Sequence, residues 1–229
     1  MKFFGISTPQ SPSLLPLLVA AYLGLSLGLA AWVYADHTGI SAALTGKIKL
    51  KYGAAAAQRV VRWQQIIHDN GTKTDLEKLN LVNDFFNGAR FVDDIVYWKK
   101  KDYWATPLEF IAHDTGDCED FSIAKYFTLK EMGVNTKKLR ITYVKALRLN
   151  QAHMVLAYYP TPTAVPMILD NINKRIKPAT ERDDLRPVYS FNADELWLSR
   201  SRNEQVKVGK PQQLNLWNDL TYRMQRELL

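Results

Sequence analysis

His113-Asp-Thr-Gly-Asp-Cys-Glu-Asp120 runs directly into Phe121-Ser-Ile-Ala-Lys-Tyr-Phe-Thr-Leu-Lys-Glu-Met132, closed by Gly133, and holds the only cysteine of a 229-residue chain. Asp117 reads as a helix N-cap and Cys118 as the first helical residue, because a side-chain oxygen ahead of an apolar-periodic run satisfies the first free N–H groups. A thiol in that place feels unpaired amides and the positive end of the helix dipole, and both favour the nucleophilic thiolate. A single cysteine also excludes a disulfide within the chain and a multi-cysteine zinc site.

Upstream of this helix the texture is helical. Ala54 to His68 carries Val60, Trp63 and Ile67 on one face and stops at Asn70-Gly71. Thr74-x-x-Glu77 is a capping box opening a helix with Leu76, Leu79, Val82 and Phe86 inward, ending at Asn87-Gly88. Thr106-Pro107-x-Glu109 starts a short helix with proline at its first position, ending near His113. Downstream the texture changes to strands at Leu139 to Ala146, Ala152 to Tyr159 and Met167 to Asn171, with another near Val188 to Phe191. Gln212 to Leu229 reads as a terminal helix, and residues 36–53, with Gly39, Gly46 and Gly53, as a linker. Helices first and an antiparallel sheet second make an α+β fold in one domain, residues 54–229.

Composition agrees with a globular chain: 47% hydrophobic and 23% charged, which excludes disordered and collagen-like classes. The formal net charge is +7, but the positives are scattered: Lys47, Lys49 and Lys51, then Lys99 to Lys101, then Lys137, Lys138 and Arg140. That reads as a solvated basic surface, with contact to anionic lipid headgroups as the second reading. No nucleic-acid motif accompanies the charge, and no nucleic-acid partner is expected.

Leu14 to Val33 contains no charge, long enough for a helix to enter a bilayer. Val33-Tyr34-Ala35 places small residues where a signal peptidase cuts, so residues 1–35 read as a signal peptide removed after Ala35 or as a retained membrane anchor. Either way the rest is exported, to the periplasm or the outer face of the inner membrane in a bacterium-like cell. Only Lys2 goes with that leader, leaving +6.

A nucleophile needs a base, and the base an orienting group. Of the four histidines, His37 adjoins the leader, His68 ends a helix as a dipole partner and His113 ends another. His153 opens a strand, and Asp170 ends the next one. A hairpin centred between residues 161 and 162 sets residue 153 opposite residue 170, on one sheet face, with Cβ atoms about 5 Å apart. Packed beneath the helix N-terminus, that face would complete a Cys118–His153–Asp170 nucleophile–base–orienter triad, with the Cys118 N–H as half of an oxyanion hole. The plainer alternative is a small buried cysteine, a satisfied strand histidine and a turn-forming aspartate.

Asp114, Asp117, Glu119 and Asp120 crowd the thiol, and carboxylates raise a thiol's pKa. A hard cation such as Ca²⁺ would offset them, although the spacing is not an EF-hand loop and the same acids can simply cap the helix. The aromatics Trp98, Tyr103 and Trp104 could wall a cleft or pack in the core.

Thr115-Gly-Asp-Cys-Glu-Asp-Phe121, with Asn150-Gln-Ala-His-Met-Val-Leu156 and Ile168-Leu-Asp-Asn-Ile172 following at these intervals, resembles the bacterial transglutaminase-like cysteine proteases, from about Ala54 to about Asn203. The resemblance implies a papain-like or transglutaminase-like α+β fold with Cys118, His153 and Asp170 as nucleophile, base and orienting acid. It implies Ca²⁺ held by Asp117, Glu119 and Asp120. It implies a periplasmic endopeptidase that cuts the N-terminal region of an RTX-type biofilm adhesin between two alanines. It implies a second partner, the periplasmic domain of an inner-membrane cyclic-di-GMP receptor that sequesters the protease when the nucleotide is abundant. A transglutaminase-type acyltransferase on the same triad and a non-catalytic calcium-binding domain are the competing expectations.

Overall fold

The computed structural model describes residues 42–199 and 204–227. The leader, with residues 14–33, and His37 lie outside them. Seven α-helices and nine strands follow in order: α1 (Ala42–Tyr52), α2 (Ala54–Asp69), α3 (Asp75–Phe86), β1 (Arg90–Phe91), α4 (Asp94–Tyr97), α5 (Pro107–His113), β2 (Thr115–Gly116), α6 (Cys118–Glu131), β3 (Leu139–Ala146), β4 (Gln151–Tyr158), β5 (Met167–Leu169), β6 (Lys177–Pro178), β7 (Leu185–Phe191), β8 (Leu196–Ser199), β9 (Gln205–Gly209) and α7 (Asn215–Glu227). Among the described residues no helix is long and apolar enough to cross a membrane.

The α+β expectation holds. Seven strands form one antiparallel sheet in the order β6-β5-β4-β3-β7-β8-β9, while β1 and β2 form a separate parallel pair. The helices lie mainly on one sheet face around a cluster that includes Val60, Leu79, Val82, Phe86, Phe110, Ile123, Leu129, Ile141, Met154 and Leu156. Truncating a fully buried ring such as Phe86 would cost about 3–5 kcal/mol in lost contacts and cavity.

Helix α6 runs through the centre of this core. Glu119 to Leu129 is buried throughout, as for a helix surrounded on all sides rather than striped. Its buried polar groups are matched: Ser122 Oγ donates to the Cys118 carbonyl, and Thr128 Oγ1 accepts from Trp63 Nε1 at 2.8 Å. Both threonine capping boxes form, at Thr74 with Glu77 and at Thr106 with Glu109.

Four readings change. Residues 42–52, expected as linker, are a helix with Ile48 buried in the core; the glycines that suggested a linker are tolerated in it at Gly46 and bound it at Gly53, whose φ is 90°. Leu76 is exposed on the first turn of α3, and Lys78 and Asn83 are buried instead. Strands β8 and β9 extend the sheet beyond β7.

The fourth change is the register of the β4–β5 hairpin. Leu156 faces Leu169, Ala157 faces Ile168 and Tyr158 faces Met167. Carried on, that sets residue 172, not Asp170, opposite His153. An even slip keeps both side chains on one face, as diagonal neighbours still within reach of each other. That face is also not the one expected. Met154, Leu156 and Tyr158 point into the helix-covered core, whereas His153 alternates with Val155 and Ala157, which belong to a smaller cluster with Val144, Ile168 and Leu185.

Candidate active site

The turn into α6 is fixed from several directions. Arg59 donates to the Ile111 and Ala112 carbonyls at the C-terminal end of α5, and Asp114 follows in a left-handed conformation, φ 55°. β1 and β2 then pair in parallel, Arg90 with Thr115 and Phe91 with Gly116. Gly116 is required by space: a Cβ there would lie 2.5 Å from Asp120 Oδ2 and 2.7 Å from Phe110. Asp117 caps the helix and Asp120 answers, its Oδ2 accepting from the Asp117 N–H and its Oδ1 from the Ala105 N–H at 2.7 Å.

Cys118 is the first residue of α6, as the sequence indicates. Its end of the helix meets β4 at the rim of the sheet. β5 stops at Leu169, short of the position opposite Met154, and the Met154 N–H lies near enough to the Cys118 sulfur to pull its pKa down. The Cys118 thiol therefore lies against the peptide that follows His153. The thiol itself donates to Glu119 Oε2 at 3.2 Å, and among the described residues no hydrogen bond links the sulfur to His153. Burial, then the charge and hydrogen bond of Glu119, then Asp117, push the thiol pKa up, against the pull of the Met154 N–H.

His153 and Asp170 are joined despite the altered register, Nε2 to Oδ1 at 2.8 Å, both nearly inaccessible. Asp170 Oδ1 also accepts from the Ile172 N–H at 2.9 Å, and Oδ2 from Arg182 Nη2 at 2.7 Å. Burial alone would raise the Asp170 pKa; the bonds from His153, Ile172 and Arg182 outweigh it and hold the carboxyl well below the usual range. Arg182 is itself anchored by Asp184, Nε to Oδ1 and Nη2 to Oδ2, each 2.9 Å. Nothing in the sequence marks Arg182; a lone arginine in a charged loop carries no spacing signal.

The acids form a second centre. Asp117 and Glu119 are joined there by Asp94 and Asp102, carboxylate oxygens within 4.8 Å of one another in overlapping triplets, and Asp120 is part of the same group. The donor set suits a hard cation on three counts. All are carboxylates apart from the adjacent thiol, and sulfur is a poor ligand for calcium or magnesium. Asp94 Oδ1 and Asp117 Oδ1 are buried without a hydrogen-bond partner among the described residues, in a protein where buried acceptors are normally paired. The carboxyl pKa values also report crowding: burial and the Asp117 and Asp102 charges push Asp94 up to about 6 against the Tyr103 N–H, and burial with Asp117 and Asp120 pushes Glu119 up to about 10. Asp120 has both oxygens engaged with backbone amides, so its part is to shape the turn as much as to offer a ligand. Asp94 went unread in the sequence because it is 24 residues from Cys118; the parallel β1–β2 pair brings it back. The pair Asp93-Asp94 between apolar residues was the available signal.

The other candidates find ordinary roles. His68 pairs with Asp69 on the surface, and His113 Nδ1 bonds the Tyr97 hydroxyl at 2.7 Å within a ring cluster. Trp104 is buried and stacks on Phe191, with Trp98 and Tyr103 packed on each other at 4.6 Å against the core.

Known proteins resemble this chain over most of its length. Residues 55–192 match the family model for the bacterial transglutaminase-like cysteine proteinases. Among solved structures, Legionella pneumophila LapG in EGTA-treated form is 43% identical with a TM-score of 0.71, over 81% of this chain and 98% of that one. Calcium-bound LapG from the same organism is 42% identical with a TM-score of 0.70, over 81% and 99%. Among curated proteins no sequence matches significantly. A match across most of the chain, on a transglutaminase-like fold with its one cysteine leading the central helix, makes this chain a member of the bacterial transglutaminase-like cysteine proteinase family and a cysteine protease.

Proposed function

We propose that the chain is a calcium-dependent endopeptidase with Cys118 as nucleophile, His153 as base and Asp170 as orienting acid, cutting the N-terminal region of a large RTX-type surface adhesin between two alanines. The observation that carries the triad is the buried His153–Asp170 pair, 2.8 Å, one residue from the N–H that meets the Cys118 sulfur.

With Nε2 committed to Asp170, Nδ1 is the ring nitrogen that takes the thiol proton. The thiolate adds to the scissile carbonyl. The developing oxyanion is met by the Cys118 N–H, a helix-start donor with no carbonyl of its own helix to bond. His153 then passes its proton to the departing amine. Water, deprotonated by the same imidazole, cleaves the thioester and restores the thiol. Asp170 stays ionised throughout, which its three donors secure.

Asp94, Asp117 and Glu119, with Asp102 beside them, are the residues that would hold Ca²⁺. The ion's charge would offset the carboxylate field around the thiol. Glu119, engaged elsewhere, would then no longer accept the thiol proton. In support of calcium, the buried orphan oxygens of Asp94 and Asp117 lack any other partner among the described residues, and LapG is known in a calcium-bound form.

The apolar leader supports export to the periplasm, with inner-membrane association if it is retained. There the periplasmic domain of a cyclic-di-GMP receptor would sequester the enzyme, and release of the adhesin would follow when the nucleotide falls.

The test is cleavage of an adhesin N-terminal region from the same genome. The expected result is one cut between two alanines in calcium, none in EGTA and none with Cys118→Ala. Cleavage by Cys118→Ala would remove the nucleophile assignment, and undiminished cleavage in EGTA would remove calcium.

A further inference from the structure

Lys125 is 1% exposed, seven residues along α6 from Cys118, and makes no ion pair among the described residues. A buried lysine without a carboxylate is costly, and a methionine of similar length would fill the same space without that cost. What the ammonium does is donate to two side-chain carbonyls of α3 and its cap: Asn83 Oδ1 at 3.0 Å and Asn87 Oδ1 at 2.8 Å. An ammonium only donates, so it fixes which way both amides point. Their NH₂ groups are thereby turned to the segment that follows β5: Asn87 Nδ2 donates to the Asp170 carbonyl at 2.9 Å, and Asn83 Nδ2 to the Lys174 carbonyl at 2.7 Å. Lys174 Nζ closes the loop onto the Asn87 carbonyl at 2.9 Å.

This matters because the sheet does not hold Asp170. β5 ends at Leu169, so the aspartate backbone has left the ladder at the residue where its orientation counts. We infer that Lys125, through Asn83 and Asn87, is a positioning unit that fastens the Asp170 backbone to the nucleophile's own helix and so sets the His153 imidazole. The inference rests on the triad reading of the preceding subsection. It assigns Lys125 no contact with substrate. A neutral amine still has two N–H groups for the two amides, so the clamp does not require the charge.

The test uses the full-length protein in calcium-containing buffer with two readouts. One is the rate of Cys118 alkylation by iodoacetamide, unambiguous because the chain has one thiol. The other is the downfield proton resonance of the buried His153 Nε2–H, identified by its loss in Asp170→Asn. Lys125→Met removes the donor. Asn87→Asp keeps an acceptor for Lys125, now as an ion pair, but loses the N–H to Asp170, and it decides alone if Lys125→Met does not fold.

Each variant is expected to slow alkylation on the order of tenfold, part of the hundredfold that a misplacement of about 1 Å can cost. Each should also shift or broaden the His153 resonance. Wild-type rate and resonance in the clamp variants, with both lost in Asp170→Asn, would overturn the clamp and leave the triad standing. An unchanged rate in Asp170→Asn would overturn the triad itself.

Discussion

Asp170 and Asp94 are equally buried, each 2% exposed, and end electrostatically opposite. Asp170 is held well below the ordinary carboxylate range, and Asp94 is pushed up to about 6. Burial raises both pKa values, and Asp170 ends low in spite of it, so burial is not what separates them. The difference is who faces each oxygen. Asp170 meets an imidazole, a backbone N–H and a guanidinium; Asp94 meets the Tyr103 N–H on one oxygen, nothing on the other among the described residues, and the carboxylates of Asp117 and Asp102 nearby. One carboxylate is completed by the fold. The other is left with an unpartnered oxygen among like charges, the half that the proposed Ca²⁺ would complete. On that proposal a preorganised half adjoins a half that an ion would finish, so that a protease could be folded and still conditional.

The comparison is broken most severely at Arg182. Arg182→Met leaves Asp170 Oδ2 buried without its charged partner, and removing one member of a buried pair costs about 3–5 kcal/mol. Urea denaturation should show that loss with and without calcium, because the proposed ion would act on the other half. A loss that calcium repairs would mean the two halves are not separate.

The next effect is on the unfinished half. If Ca²⁺ binds only the folded chain, calcium at a hundred times its dissociation constant stabilises by about 2.7 kcal/mol, with Mg²⁺ well behind because it gives up its waters reluctantly. Asp94→Asn should erase most of that increment in a thermal melt while leaving the Asp170 side untouched. An undiminished calcium shift in Asp94→Asn would place the ion elsewhere.

Sequence alone showed the finished parts better than the unfinished one, for a physical reason. Thr74 and Thr106 form their boxes within four residues, and Cys118 leads its helix because Asp117 and Asp120 settle that locally. β3 matches its expected span from Leu139 to Ala146 because alternation along one strand is a local property too. What failed was set by contacts between distant segments. Asp94 reaches the acids only through a parallel strand pair, Arg182 reaches Asp170 across a loop, and Asp170 meets His153 on the diagonal instead of directly across. Two-residue slips preserve every in/out assignment along a strand, so hydrophobic pattern cannot detect them.

The smallest effect concerns Lys125, which lies between the two halves. Burial, helped by the charge of Lys174 and opposed by Asp170 and Asp84, brings its pKa down to about 7 from 10.5. Below about pH 7 both folded and unfolded chains hold the proton, and the folded state bears the cost of a buried charge. Between about 7 and 10.5 the unfolded chain holds a proton that the folded chain has shed, so raising pH favours folding there. The slope is at most about 1.4 kcal/mol per pH unit. Melts of the calcium-loaded protein from pH 7 to 8.5 should therefore show stability climbing in the wild type relative to Lys125→Met. The difference between the two isolates Lys125 from other titrations that both proteins share. Parallel curves would mean that the ammonium keeps its proton inside the fold, and Asp170 would then have a permanent buried cation behind it in addition to Arg182.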